Sequence, residues 1–92
     1  MTKQLLVEFK KKGVSYKQIE KNERYVIYQC TRDNDTYYEV FKYTVKNYPS
    51  HFADANNYKY IESYPSNEDF GRWAWCCSTI NRVKAMIYKH NL

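Results

Sequence analysis

Apolar positions along this chain change their spacing twice. Over residues 2–12, Leu5, Leu6 and Phe9 form one stripe at helical spacing, Thr2 can cap, and Gly13 stands where a helix C′ glycine belongs. The pattern predicts a short N-terminal helix, although Leu5-Leu6-Val7 also suits the start of a strand. From residue 14 to residue 45 the period falls to two. Val14, Tyr16 and Gln18 alternate with polar residues, residues 24–31 are strongly β-prone, and residues 36–46 carry Tyr38, Val40, Phe41, Tyr43 and Val45. Lys21-Asn22-Glu23 and Asp33-Asn34-Asp35 are short enough for hairpin loops, so three antiparallel strands in meander order are the simplest arrangement.

Residues 47–57 read as a loop, with Pro49-Ser50 and Asp54-Ala55-Asn56-Asn57, and its length makes it a candidate functional loop. Residues 58–64 have strand character. Residues 65–71 are punctuated at both ends and read as a turn or one helical turn capped by Ser66; residues 72–77 are strand-like again. At the C-terminus Ile80, Val83, Met86 and Ile87 fall on one helical face behind a Ser78 or Thr79 cap, with Lys89 and His90 at the favourable end of the dipole. The predicted fold is a single α+β domain over residues 1–92. It comprises a small antiparallel sheet of four or five strands, with an N-terminal and a C-terminal helix packed on one face.

Composition sharpens this picture. Eleven tyrosines against three leucines mean a core of aromatic and β-branched side chains, and each ring buries a large area. The net charge of +5 is N-terminal: residues 1–46 hold ten Lys/Arg against six acids, residues 47–92 five against four. Lys10-Lys11-Lys12 is the one run, and a solvated face explains it more simply than a polyanion-binding arm. Three cysteines, Cys30, Cys76 and Cys77, make no disulfide framework, and no apolar run approaches the ~20 residues of a membrane span. Free packing thiols in a reducing host cytoplasm are the expectation, with one of the adjacent pair in the core and the other nearer solvent.

Most catalytic chemistry lacks its residues. No C-x-x-C or H-x-x-x-H spacing joins the cysteines to His51 or His90, so no metal is expected, and with only two glycines there is no phosphate-cradling loop. A Cys–His dyad would need a tertiary accident, and Glu68-Asp69 and Asp33/Asp35 suit turn and cap hydrogen bonds better than acid–base work. The expectation is a non-enzyme with no cofactor. Binding chemistry is better supplied. Tyr43 with Lys42, Lys46 and Lys59 on an exposed sheet face could stack bases while cations follow a phosphate backbone. Phe70, Arg72, Trp73 and Trp75 are residue types enriched at protein interfaces, and His51, Asn56 and Asn57 sit in the long loop. As i and i+2 of a strand, the two indoles should share a face, sealing the core in the favoured reading or forming an exposed patch in the other.

The segments Tyr37-Tyr38-Glu39-Val40-Phe41-Lys42 and Tyr64-Pro65-Ser66-Asn67-Glu68-Asp69-Phe70-Gly71-Arg72-Trp73-Ala74-Trp75 together resemble a group of small phage and prophage accessory proteins. In that group a YEVFK strand and a YP-S/N-x-x-DFG-x-W-A-W segment precede a short C-terminal helix. The resemblance covers about residues 25–88, omits the N-terminal element and the 48–57 loop, and brings no catalytic residues. Asp69-Phe70-Gly71 also occurs in protein kinases, but no other kinase element accompanies it. The resemblance implies a protein that binds and disables a host protein, including defence enzymes in the manner of anti-CRISPR inhibitors. A net charge of +5 does not suit DNA mimicry, so occlusion, or contact with nucleic acid and protein together, is the mode it would leave. Nucleic-acid binding is the alternative, and a homodimer through an edge strand such as residues 24–31 stands beside both.

Overall fold

The computed structural model describes residues 2–47 and 60–92. The long central loop with His51, Asn56 and Asn57, and also Lys59, lies outside them. The described strands are β1 (Thr2–Lys3), β2 (Glu8–Lys11), β3 (Val14–Lys21), β4 (Tyr25–Arg32), β5 (Asp35–Lys42), β6 (Val45–Asn47), β7 (Tyr60–Glu62) and β8 (Ala74–Cys77), with one helix, α1 (Ile80–Lys89). Five strands form an antiparallel sheet in the order β2-β3-β4-β5-β8, and β1, β7 and β6 form a second, small sheet. The molecule is α+β.

The meander arises from local turn chemistry. Between β3 and β4, the Asn22 side chain accepts from the backbone N–H groups of Arg24 and Tyr25, at 2.8 and 3.0 Å. Between β4 and β5, Asp33 takes a positive φ of 53° and Arg32 pairs with Asp35. The helix is equally local in origin. Thr79 Oγ1 accepts from the N–H of Arg82 at 3.2 Å, Val83 is buried, and Asn91 ends the helix with φ of 56°. The N–H groups of Asn91 and Leu92 then return to the carbonyls of Tyr88 and Ile87, a Schellman ending sealed by buried Leu92.

The predicted N-terminal helix is not formed. Residues 8–11 pair with β3 from Glu8–Lys17 to Lys11–Val14, and Lys12 and Gly13 close the hairpin with φ of 52° and 79°. Gly13 is therefore a left-handed turn residue, as expected, but of a two-residue hairpin rather than a helix end. A second expectation also changes: β4 is the central strand, flanked by β3 and β5, so residues 24–31 offer no open edge to a twin.

Each face of the large sheet carries an apolar core. On one, Ile27, Val40 and Cys77 pack under α1 through Val83, with Tyr25, Tyr38, Trp75 and Met86 around them. On the other, Val26, Tyr28, Cys30 and Phe41 are fully buried beneath Leu5, Tyr64, Phe70 and Trp73. Tyr64 sits edge-on to Phe9, Tyr28 and Phe41, at ring separations of 5.3 to 5.6 Å. Such edge-to-face contacts contribute about 0.5–1.5 kcal/mol each beyond area burial.

Candidate functional site

The tryptophan-rich segment does not form one recognition surface. Ser66 caps a single 3-10 turn, Asn67–Asp69, as its sequence suggests, with Asp69 accepting from the Ser66 N–H and hydroxyl at 2.8 and 3.0 Å. Trp73 lies in the turn before β8 and packs edge-on to Phe41, 6.1 Å between centroids, on the aromatic face with Phe70. Trp75, inside β8, lies on the helix face and stacks on His90 at 4.0 Å. The shared face expected of the two indoles is therefore not realised. The chain turns at Gly71, φ 91°, and two-residue alternation begins only at Ala74. Arg72 is exposed beside this turn. Cys77 is buried and Cys76 exposed, as alternation along a strand requires.

The tyrosine–lysine set is also dispersed. Tyr43 is half-buried and donates its hydroxyl to Glu62 at 2.5 Å, while Lys42 and Lys46 are exposed. The open corner of the helix-side face, around Glu8, Lys10, Ser15, Lys17, Gln29 and Thr31, carries polar side chains.

What the fold does assemble is a cleft of about 420 Å³ on the aromatic side, between the β2–β3 hairpin and the segment from Tyr64 to Phe70. Its rim holds three cations: Lys11 from β2, Lys12 from the hairpin turn and Arg32 from the end of β4. Their convergence follows from register. Lys11 pairs with Val14 at the hairpin end, and Arg32 lies one step beyond the Ser15–Thr31 pair on the neighbouring strand. The floor is Tyr16, Tyr64 and the carboxyl of Glu39, which is only 8% exposed. A second cavity of about 340 Å³ shares Lys11 and Tyr64 as its wall and continues past Leu5, Leu6, Phe9 and Ile61. Leu6 is 65% exposed there.

In the cleft floor and the side chains around Glu39 the pKa shifts run upward. Burial raises the Glu39 pKa, offset in part by a hydrogen bond donated from the Tyr64 hydroxyl and by the charge of Lys11. Burial likewise raises Tyr16, Tyr37 and Tyr64, the last also through its bond to Glu39. The Cys30 thiol is pushed up to about 12 by burial and then by the Glu39 charge, and Cys76 is raised by the same two causes. The cleft floor therefore presents the Tyr16 and Tyr64 hydroxyls and the Glu39 carboxyl as hydrogen-bonding groups.

A second buried carboxylate, Glu62 of β7 in the small sheet, lines the neighbouring cavity and is 6% exposed. It receives Lys21 Nζ at 2.7 Å and the Leu5 N–H at 2.8 Å on one oxygen, and Tyr43 on the other. Burial alone would raise its pKa, but these three donors outweigh it and bring it below the ordinary range. This bond set ties the N-terminal segment, β3 and β7 together across 57 positions of sequence.

Neither glutamate was singled out from the sequence. The signal for Glu39 was parity: in a two-residue alternation it shares a face with Tyr37 and Phe41, a carboxylate set in an aromatic stripe. Among the described residues no group of three His, Cys, Asp or Glu side chains is placed to hold a metal, and no helix is long and apolar enough to cross a membrane. Set against known proteins, the chain matches no family profile, no curated protein and no solved structure.

Proposed function

We propose that this is a non-enzymatic binding protein that acts by occupying another protein. The observation that carries the reading is the groove itself. Lys11, Lys12 and Arg32 are gathered over an aromatic floor, and among the described residues none of the three sits in a salt bridge. Lys11 also acts at a distance on the Glu39 carboxyl, but among the described residues none of the three cations is neutralised by a paired carboxylate, which suits a surface that meets a charged partner. Cys30 is buried in the core, which favours binding over nucleophilic chemistry at that thiol. The resemblance to phage accessory proteins supplies the direction: a host protein as target, with a defence enzyme as one such target, inhibited by occlusion in the host cytoplasm. Phe70 borders the groove and Arg72 follows it, which keeps both in the proposed contact region. Trp73 packs on Phe41 on the same face as the groove, whereas Trp75 lies on the helix face, outside it.

Affinity capture of the tagged protein from host lysate, with and without nuclease and read by mass spectrometry, tests this. One protein retained under both conditions is the expected result. Capture that disappears with nuclease would overturn the reading in favour of nucleic acid, where base stacking and counterion release would carry the binding.

A further inference from the structure

We infer that the occupant of the groove is an extended peptide segment of the partner, with one or two carboxylates beside large apolar side chains; the inference rests on the protein-binding reading above. The groove is chemically two-ended. At one end Lys11, Lys12 and Arg32 cluster within a single cleft; at the other Leu5, Leu6, Phe9 and Ile61 line an apolar cavity, and Lys11 and Tyr64 are common to both. A ligand that satisfies both ends must carry negative charge at one point and apolar bulk a short distance along.

A nucleic-acid strand fits this poorly. Its charge repeats at every nucleotide, so its binding track needs cations along the whole run. Here the apolar end adds no cation beyond Lys11, and the carboxyl of Glu62 lines its wall. An acidic and apolar peptide meets the opposite conditions. Its carboxylates take charge-assisted hydrogen bonds from Lys11 and Arg32, the latter with fork geometry. Its backbone amides meet the hydroxyls of Tyr16 and Tyr64 and the carboxyl of Glu39, the last already accepting from Tyr64, so that N–H groups can be received along the floor. Its apolar side chains cover exposed Leu6 and the half-buried Phe9 and Ile61, removing further apolar surface from water.

The test uses the purified full-length protein and fluorescence anisotropy. The probes are a labelled short peptide alternating carboxylate and large apolar side chains, the same peptide with amides for carboxylates, and a labelled single-stranded oligonucleotide. The acidic peptide should bind about tenfold or more tightly than its amide twin. The double variant Lys11→Glu/Arg32→Glu should lose about tenfold or more in affinity. Lys10→Glu/Lys17→Glu, an equal change of net charge on the opposite face, should lose no more than about twofold. Equal binding of acid and amide peptides, equal loss in the two charge variants, or retention of the oligonucleotide in preference to the peptide would each overturn the inference. If Lys11→Glu/Arg32→Glu still captures the same host protein from lysate, the partner binds elsewhere. The peptide groove then falls while the protein-binding reading stands.

Discussion

Glu39, in β5 of the large sheet, and Glu62, in β7 of the small one, are buried to nearly the same degree, at 8% and 6% exposure. Their surroundings drive them in opposite directions. Glu62 has three donors, including an ammonium, and its pKa falls; Glu39 has the Tyr64 hydroxyl alone among the described residues, and its pKa rises. Burial by itself therefore assigns no role. A carboxylate whose lone pairs are filled from three parts of the chain is a fastener. One whose lone pairs are left to a single tyrosine at the floor of an open cleft is available to something else.

Replacing Glu62 should have the largest effect. Glu62→Ala removes the acceptor for Lys21, Tyr43 and the Leu5 N–H together, and breaking a buried ion pair by deleting one partner costs about 3–5 kcal/mol. Lys21 keeps partial access to water, so the low end, about 3 kcal/mol, is expected by urea denaturation at neutral pH. A loss below about 1 kcal/mol would show that the bond set is incidental and would collapse the contrast with Glu39.

Tyr64→Phe comes next. It keeps the ring that packs on Phe9, Tyr28 and Phe41 but deletes the one donor to Glu39. The expected loss is about 1–2 kcal/mol, the usual range for a buried hydrogen bond to a carboxyl group. It should be larger at alkaline than at acid pH, because the missing donor stabilised chiefly the ionised form. A loss independent of pH would mean that the hydroxyl serves packing alone.

How far these features could be read in advance depends on the range of the forces that make them. The strands on either side of Asp33, the Ser66-capped turn, the Thr79-capped helix and the split of Cys76 from Cys77 are set by neighbours within a few residues, and all were legible. The N-terminus was misread because Leu5-Leu6 and Phe9 suit a helical stripe as well as a strand, and Gly13 ends either one by the same positive φ. Only pairing with β3 decides between them. Trp73 was misplaced because alternation was extended across a turn. The groove lay beyond local reasoning altogether: Glu39 and Tyr64 are 25 positions apart, and Lys11 and Arg32 meet only once β2, β3 and β4 are in register.

The smallest effect is the most discriminating one. Glu39→Gln keeps the shape of the side chain and an acceptor for Tyr64, so stability at acid pH should change by less than about 1 kcal/mol. The pH dependence should change more. Because the folded pKa of Glu39 is raised above its ordinary 4.5, its contribution is fully present below that value and is lost as pH rises through the folded pKa. Glu62, with its folded pKa depressed, contributes above its ordinary 4.5 and loses that contribution as pH falls through the lower folded value. Urea midpoints measured across pH should therefore fall at both ends: at the acid end through Glu62, and above the ordinary carboxylate range through Glu39. Glu39→Gln should flatten the upper fall and leave the acid fall intact; Glu62→Gln should do the reverse, on a lower baseline. If Glu39→Gln leaves the upper fall unchanged, Glu39 is ionised without cost in the folded protein. The two carboxylates would then differ only in where they sit.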